Sequence, residues 1–494
     1  MDTVSTLARR TYRRIGPDGS LALAAAKVRV SRLLSEAWLK ADALLGEAVD
    51  RAVRGHHRRR LRRVGWERVF EADGRGWAQG APPPRAGNEL EVLIDGAAAL
   101  PRMVEQLLGA ESHVYLSGWF FSPELVLARE DEQAVLRNLL AELASRVDVR
   151  LLVWAGAPLP VFRPSRGQVR AMRDRLCNGS RIRCALDSHE RPLHCHHEKT
   201  IVVDDRVAFV GGIDLTLEAG DRFDDPRHVA RAKLGWHDAA ARIQGPAVVD
   251  VAEHFRLRWR EVTGETLPAT HTPPASGSVE VQVVRTVPEG IYEALPQGDF
   301  RILESYVGAL HRAERLIYLE NQFLWSPEVV AILADKLRNP PSDDFRIVAV
   351  LPARPNDGAD ESRGQVAALV EADGGAGRFL ACTLYARSGA LSDPIYVHAK
   401  VAIVDDDWLT IGSANLNEHS FFNDTEMNVV TRDAELARET RLRLWAEHLE
   451  LPLSGRSRPD RADRPPVEAH GRRAARTAPP RSARRTSRPR RRRP

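Results

Sequence analysis

The 494 residues are 43% hydrophobic and 28% charged, enough for two ordinary domains or one large duplicated one, each with a real core. The net charge of +5 is uneven: fifteen Arg against three acids fall between Gly455 and Pro494, so that tail carries about +12 and the rest is mildly acidic, near −7. Four cysteines (Cys177, Cys184, Cys195, Cys382) without CxxC spacing exclude a zinc ribbon and a disulfide framework, and no stretch reaches the ~18 apolar residues of a membrane span.

At the start, Lys27, Arg29 and Arg32 break the apolar run Leu21–Ala26 too early for a secretory signal. The expectation is a cytoplasmic protein, a monomer, peripheral where it touches a membrane. Residues 1–86 read as helical, because Leu33, Leu34, Trp38, Leu44 and Leu45 recur at roughly helical spacing and Pro82–Pro84 end the segment. A helical cap on the main body is favoured there over a membrane-surface helix, although the Arg58–Arg63 cluster would suit an anionic membrane surface.

Beyond Gly87 the chain repeats itself. HVYLSGWFFSPE (113–124) returns as LIYLENQFLWSPE (316–328), and DVRLLVWAG (148–156) as DFRIVAVLPA (344–353). These buried-looking strands alternate with helices over Gln133–Ser145 and Val329–Lys336, the βα alternation of a layered α/β fold. Trp119, Phe120, Phe121, Phe323 and Trp325 sit in or just after core strands and read as packing more readily than as an acyl or choline pocket. The third match is the most informative: HHEKTIVVDDRVAFVGGIDL (196–215) aligns with VHAKVAIVDDDWLTIGSANL (397–416) at a constant offset of 201. Each copy is followed by a strand (Trp236–Ile243; Glu426–Thr431) and a helix (Val248–Trp259; Glu435–Leu449). TGETLPATHTPPASGS (263–278) separates the halves by composition. A tandem duplication of one α/β unit, its halves facing each other across a pseudo-twofold axis, can bring both copies of a motif to one cleft.

Only six of the 72 cations are Lys, and two of these, Lys199 and Lys400, stand two residues after a His in equivalent places. On a strand, residues i and i+2 share a face, so His197 projects with Lys199 and His398 with Lys400. A Lys ammonium is a compact point charge where Arg is a wide planar fork, so a crowded pocket holding one phosphoryl group beside an imidazole suits Lys. Gly211, Gly212 and Gly412 would allow close backbone approach to an anion, with Ser413 and Asn415 adding hydrogen bonds to phosphate oxygens. Two imidazoles across one phosphate complete a mechanism: one attacks phosphorus, and the other protonates the leaving alcohol and then deprotonates the incoming water or alcohol. Both lysines and Asn415 neutralise the equatorial oxygens. No metal and no cofactor are required. Each His needs an acid to set its tautomer, and Glu426 and Asp224 are the candidates.

These residues resemble the phospholipase D superfamily, whose signature is two copies of H-x-K-x4-D-x6-G-S-x-x-N. The second copy carries His398, Lys400, Asp405, Gly412, Ser413 and Asn415, with the last spacing shortened; the first carries His197, Lys199, Asp204 and Gly211 but has Gly212 and Asp214 where the pattern has Ser and Asn. The GG-x-D departure, GWFFSPE, GWHDAAARIQGPAVVDVAEHFRLRW, YLENQF and FNDTEMNVV are similar to the eukaryotic-type branch. The resemblance spans about residues 88–450. It implies two tandem phospholipase D-like units, His197 as nucleophile, His398 as general acid/base, Glu426 as the partner of His197 across the halves, and Asp204 and Asp405 as structural residues. It implies a phospholipid substrate and release of phosphatidic acid. The alternatives are a cardiolipin synthase-like phosphatidyltransferase and a nuclease or nucleic-acid binder using the tail, against which the acidic body argues.

The expected plan is thus a helical N-terminal segment (1–86), a first half (87–265), a linker (266–278), a second half (279–451) and a disordered Arg/Pro-rich tail (452–494) suited to anionic lipid or nucleic acid. The stretch His194, Cys195, His196, His197 invites a metal reading. Strand alternation sends His194 and His196 away from His197, and no acidic or Cys partner motif stands nearby, so it is set aside.

Overall fold

Why the chain builds one sheet from two copies is visible at its centre. The computed structural model describes residues 48–72, 76–128, 134–159, 163–217, 236–356, 358–388 and 391–451. Strand Arg85–Ile94 opens the first half and strand Val279–Val287 opens the second, and these two pair antiparallel. From that seam each half adds strands in the same order. In the first half Ala239–Gln244, Val207–Gly211, Thr200–Val203, His113–Gly118, Asp148–Trp154 and Arg183–Asp187 follow. In the second half Glu426–Thr431, Trp408–Gly412, Lys400–Val404, Leu316–Asn321, Arg346–Val350 and Phe379–Cys382 follow. Antiparallel pairing of the two opening strands makes the halves run in opposite senses, as a pseudo-twofold arrangement requires.

Both faces of the sheet are buried, so its strands are near-continuous apolar runs; Lys400–Val404 and Trp408–Gly412 are buried throughout. One apolar cluster is shared between the halves. It joins Val92, Val202 and Ile243 to Val283, Val401 and Met427 and to Phe255, Trp259 and Leu444 of the helices Val248–Thr263 and Ala434–His448. The other clusters lie one per half.

The helix over 48–63 and the 3-10 turn Glu67–Glu71 pack on the second half, where Leu61, Trp66, Val69 and Phe70 join Phe300, Tyr306 and Trp408 in one core. Within the Arg58–Arg63 cluster, Arg60 is buried against Glu289 and Asn423, Arg58 pairs with Glu328 and Arg62 with Glu67, while Arg59 and Arg63 are exposed. The apolar positions Leu33 to Leu45 and the tail from 452 lie outside the described residues. Among the described residues no helix is long and apolar enough to cross a membrane. The linker has no regular structure after Gly264, which ends the preceding helix in the left-handed conformation.

One expected strand is interrupted. Trp236–Ile243 divides into a short pairing at Trp236–His237 and the strand Ala239–Gln244, with Asp238 between them. The aromatic residues divide as well: Phe121 and Phe323 are buried, Trp119 stacks on Trp154, and Trp325 lies against Phe323 and His419.

Candidate active site

Two seams, one per motif, bring the expected site residues together. At one, the chain before Thr200–Val203 runs parallel to the chain before Glu426–Thr431: His196 bridges Thr425, and His197 N–H donates to Thr425 O at 2.9 Å. At the other, Tyr396–Val397 pairs parallel with Trp236–His237, and His398 N–H donates to His237 O at 2.8 Å. The two seams are copies, offset by 201 on the motif side and by 188 on the other.

Each seam sets an imidazole against a carboxylate of the opposite half. His197 Nδ1 lies 3.1 Å from both carboxylate oxygens of Glu426, and His398 Nδ1 lies 2.6 Å from Asp238 Oδ2. In each ring the carboxylate occupies Nδ1, which leaves Nε2 for a reacting atom. Asp224, the acid expected beside His398, lies outside the described residues, and the carboxylate at that ring is Asp238. Strand register makes Asp238 the counterpart of Glu426: it stands two residues before Ala240, which pairs with Gly211, as Glu426 stands two before Asn428, which pairs with Gly412.

The lysines are drawn in beside the rings. Lys199 Nζ donates to His197 O at 2.6 Å and lies 3.4 Å from Asp214 Oδ2. Lys400 Nζ donates to His398 O and, at 3.3 Å, to Gln322 Oε1. Asp214, the departure from the signature Asn, is therefore the counter-charge of Lys199. Its equivalent Asn415 is buried, and its Oδ1 meets no hydrogen-bond partner among the described residues. The alternate residues face the other way: His196 meets Asp187 and Thr425, and Glu198 meets His254 and Arg258.

The groups expected to cradle phosphate have different tasks. Ser413 Oγ donates to Glu426 Oε2, and Ser420 Oγ donates to Glu426 Oε1 at 2.5 Å, so three donors with His197 fix that carboxylate. A Cβ on Gly211 would stand 2.6 Å from Ala240 Cα, and one on Gly212 would overlap the Asp238 carboxylate. Both glycines make room for protein atoms, which corrects the anion-approach reading. The loss of Ser from the first copy is thus a packing requirement of Asp238. Asp204 accepts the backbone N–H groups of Glu111, Ser112 and His113, and Asp405 those of Glu314, Arg315 and Leu316, which ties each motif hairpin to the start of a neighbouring strand.

Electrostatics tie the two motifs together. Burial, then the positive charges of Lys400, Lys199 and His197, hold the His398 imidazole well below its ordinary value. Burial pushes the Asp238 carboxyl up to about 7 against the pull of Lys400. These two shifts describe one proton shared by a bonded pair, which the pair keeps below neutrality and gives up above it. Burial pulls Lys400 down to about 8, with Asp238 opposing and Lys199 assisting. Residues missed by sequence reasoning complete the wall: Trp236 lies over His398 with ring centroids 4.1 Å apart, and Gln322 Nε2 donates to Tyr396 Oη at 2.9 Å.

Comparison with known proteins agrees with this construction. The family described as "Cardiolipin synthase, PLD-like domain" matches residues 309–446. Phospholipase D A of Dictyostelium discoideum is 26% identical over 464 residues, covering 75% of this chain and 36% of that protein. Phospholipase D alpha 4 of Arabidopsis thaliana is 26% identical, covering 68% of this chain and 61% of its own, and the major cardiolipin synthase ClsA of Bacillus subtilis is 23% identical, covering 74% and 72%. The chain spans little more than a third of the length of the Dictyostelium relative. The crystal structure of phosphatidylserine synthase from Haemophilus influenzae shares the fold, with a TM-score of 0.52 at 12% identity over 78% of this chain and 90% of that one. The doubled motif and its crossed His–carboxylate pairs thus stand in a chain similar to phospholipases D and to a cardiolipin synthase.

Proposed function

We propose that this chain is a phospholipid phosphodiesterase and transphosphatidylase working through a phosphohistidine. His197 Nε2 attacks phosphorus; a P–N bond forms and the P–O bond to the headgroup breaks. The proton held by the Asp238–His398 pair passes from His398 Nε2 to the leaving oxygen. His398 then takes a proton from water or an alcohol, whose oxygen attacks phosphorus and breaks the P–N bond, giving phosphatidic acid or a phosphatidyl alcohol. Lys199, Lys400 and Asn415 neutralise the charge that builds on the non-bridging oxygens. One observation carries the reading: each imidazole is oriented by a carboxylate from the other half, Glu426 at His197 and Asp238 at His398, and burial pushes the Asp238 carboxyl up to about 7. A carboxyl that keeps its proton up to neutrality suits His398 as proton donor beside a separate nucleophile.

A second reading keeps the chemistry and changes the acceptor to the hydroxyl of another lipid, as the family description "Cardiolipin synthase, PLD-like domain" suggests. The full chain incubated with defined phospholipids and ethanol, its products identified by mass spectrometry, decides among these. Phosphatidic acid and phosphatidylethanol are expected, with nearly all turnover lost in His197→Ala and His398→Ala. Cardiolipin as the dominant product with phosphatidylglycerol present would favour the second reading. Cleavage of oligonucleotides with no lipid product would sink both.

A further inference from the structure

The two seams are copies in backbone and opposites in side chains. At the Val397–His237 seam, the positions that correspond to His194 and Asp424 hold Ile395 and Trp236; Ile395 is buried, and Trp236 lies against Tyr396 and His398. That seam is closed by apolar and aromatic packing. At the His196–Thr425 seam, the same places carry His194 and Asp424, and the neighbouring turn His419–Asn423, a π-helix, adds His419. π-Turns inside or beside regular structure concentrate at functional sites. His194 Nδ1 stands 3.0 Å from His419 Nδ1 and 3.4 Å from Asp424 Oδ1. All three donor atoms lie within 4.8 Å of one another.

We infer that His194, His419 and Asp424 form a binding site for a divalent transition-metal ion of the zinc class, which clamps the two halves together beside the catalytic pair. Donors held ~2.1 Å from one ion lie roughly 3.0–3.4 Å apart along the edge of its coordination polyhedron, and both separations from His194 fall in that range. Two imidazoles and one carboxylate are a donor set that zinc accepts, with a position left for water. The carboxylate is already oriented, since Cys195 N–H donates to Asp424 Oδ1 at 2.9 Å, the support that ligands of bound metals need. The backbone spends strain to aim the first ligand: the turn Arg191–His194 is closed through Leu193 at φ 67°, 66% exposed, a conformation costly for Leu. Entry is open, because an open pocket lined by His189, Glu190, Glu289 and Ile291 reaches His194.

Sequence spacing does not reveal the site because the ligands are 225 and 230 residues apart and meet only when the halves dock. His194 is three residues from His197 and Asp424 two from Glu426, so the ion would fasten the seam that holds the catalytic pair without entering the phosphate chemistry. Chelation should therefore lower the melting temperature while the groups on phosphate stay in place.

The test uses the tag-free full chain, stripped with chelator and titrated with Zn2+ by calorimetry, and with Co2+ by visible absorption. About one equivalent should bind and raise the melting temperature. His419→Gln and Asp424→Asn should each weaken binding at least about ten-fold, since even outer-shell losses cost that much, and should abolish the cobalt absorption. His194→Gln, at the partly exposed edge, replaces either variant that fails to fold. No uptake by the parent chain, or uptake unchanged in the folded variants, overturns the assignment.

Discussion

Lys400 keeps its charge where no water reaches it, at 0% exposure, and that makes it sensitive to pH. Burial pulls it down to about 8, so it is charged below that pH and neutral above. The proton shared by Asp238 and His398 is held below about 7 and lost above. Under the proposed mechanism both protons must be present when free enzyme meets substrate. The logarithm of kcat/KM on a soluble short-chain phospholipid should therefore fall as pH rises through about 7, and its slope should steepen toward about −2 above pH 8, because kcat/KM reports ionisations of the free enzyme. The bound phosphodiester anion favours both protonated forms, so the fall in kcat should lie at higher pH. A kcat/KM flat into the ordinary lysine range would remove Lys400 and Asp238 from these roles. The same residues show what composition could not convey. The scarcity of Lys marked both motif positions, but burial, which sets these shifts, comes from strands far apart in the chain.

At the scale of elements, the repeat made most of the fold legible. A constant offset of 201 aligned both motif hairpins, and their strands lie at equivalent places in the sheet. What escaped lies where the offset changes. Between the hairpin and the next strand the two copies have sequences of different length, so the offset drops to 188 and hides the match of Asp238 to Glu426. The interruption at Asp238 was also unreadable, because WHDAAARI alternates acceptably as one strand until the seam pairing at Trp236–His237 is seen. The chain that follows the N-terminal elements makes a separate case, because one of its backbone carbonyls takes two side-chain donors of the second half. Gly76 O accepts from Trp408 Nε1 at 3.0 Å and from Ser305 Oγ at 2.5 Å. Gly76 has φ +74°, and a Cβ there would stand 2.5 Å from Trp408 Cδ1. Gly76→Ala therefore meets both left-handed backbone and a rigid indole, and should cost about 1–3 kcal/mol in urea unfolding. It should also admit protease between residues 64 and 80 before the rest of the chain. A variant as stable and as protected as the parent would show that this loop does not fasten the helices to the second half.

For the whole molecule, charge divides the chain close to where the described residues end, at 451. The tail carries about +12 against an acidic remainder near −7. Electrostatic attraction to an anionic lipid surface adds about 1 kcal/mol per cation close to it and fades within a Debye length. Under the proposed mechanism, turnover on soluble substrate depends on groups that all lie before residue 451. Deleting 455–494 should then leave kcat/KM on a short-chain phospholipid within about two-fold. It should sharply weaken retention on vesicles rich in phosphatidylserine, and the difference between the two proteins should shrink as salt rises. The comparison is made by vesicle sedimentation at several ionic strengths beside the soluble assay. Retention unchanged by the deletion would assign membrane contact to the acidic body, whose net charge opposes it, and would require an apolar insertion surface in its place. Loss of soluble turnover would make the tail part of the catalytic unit and break the separation that charge draws.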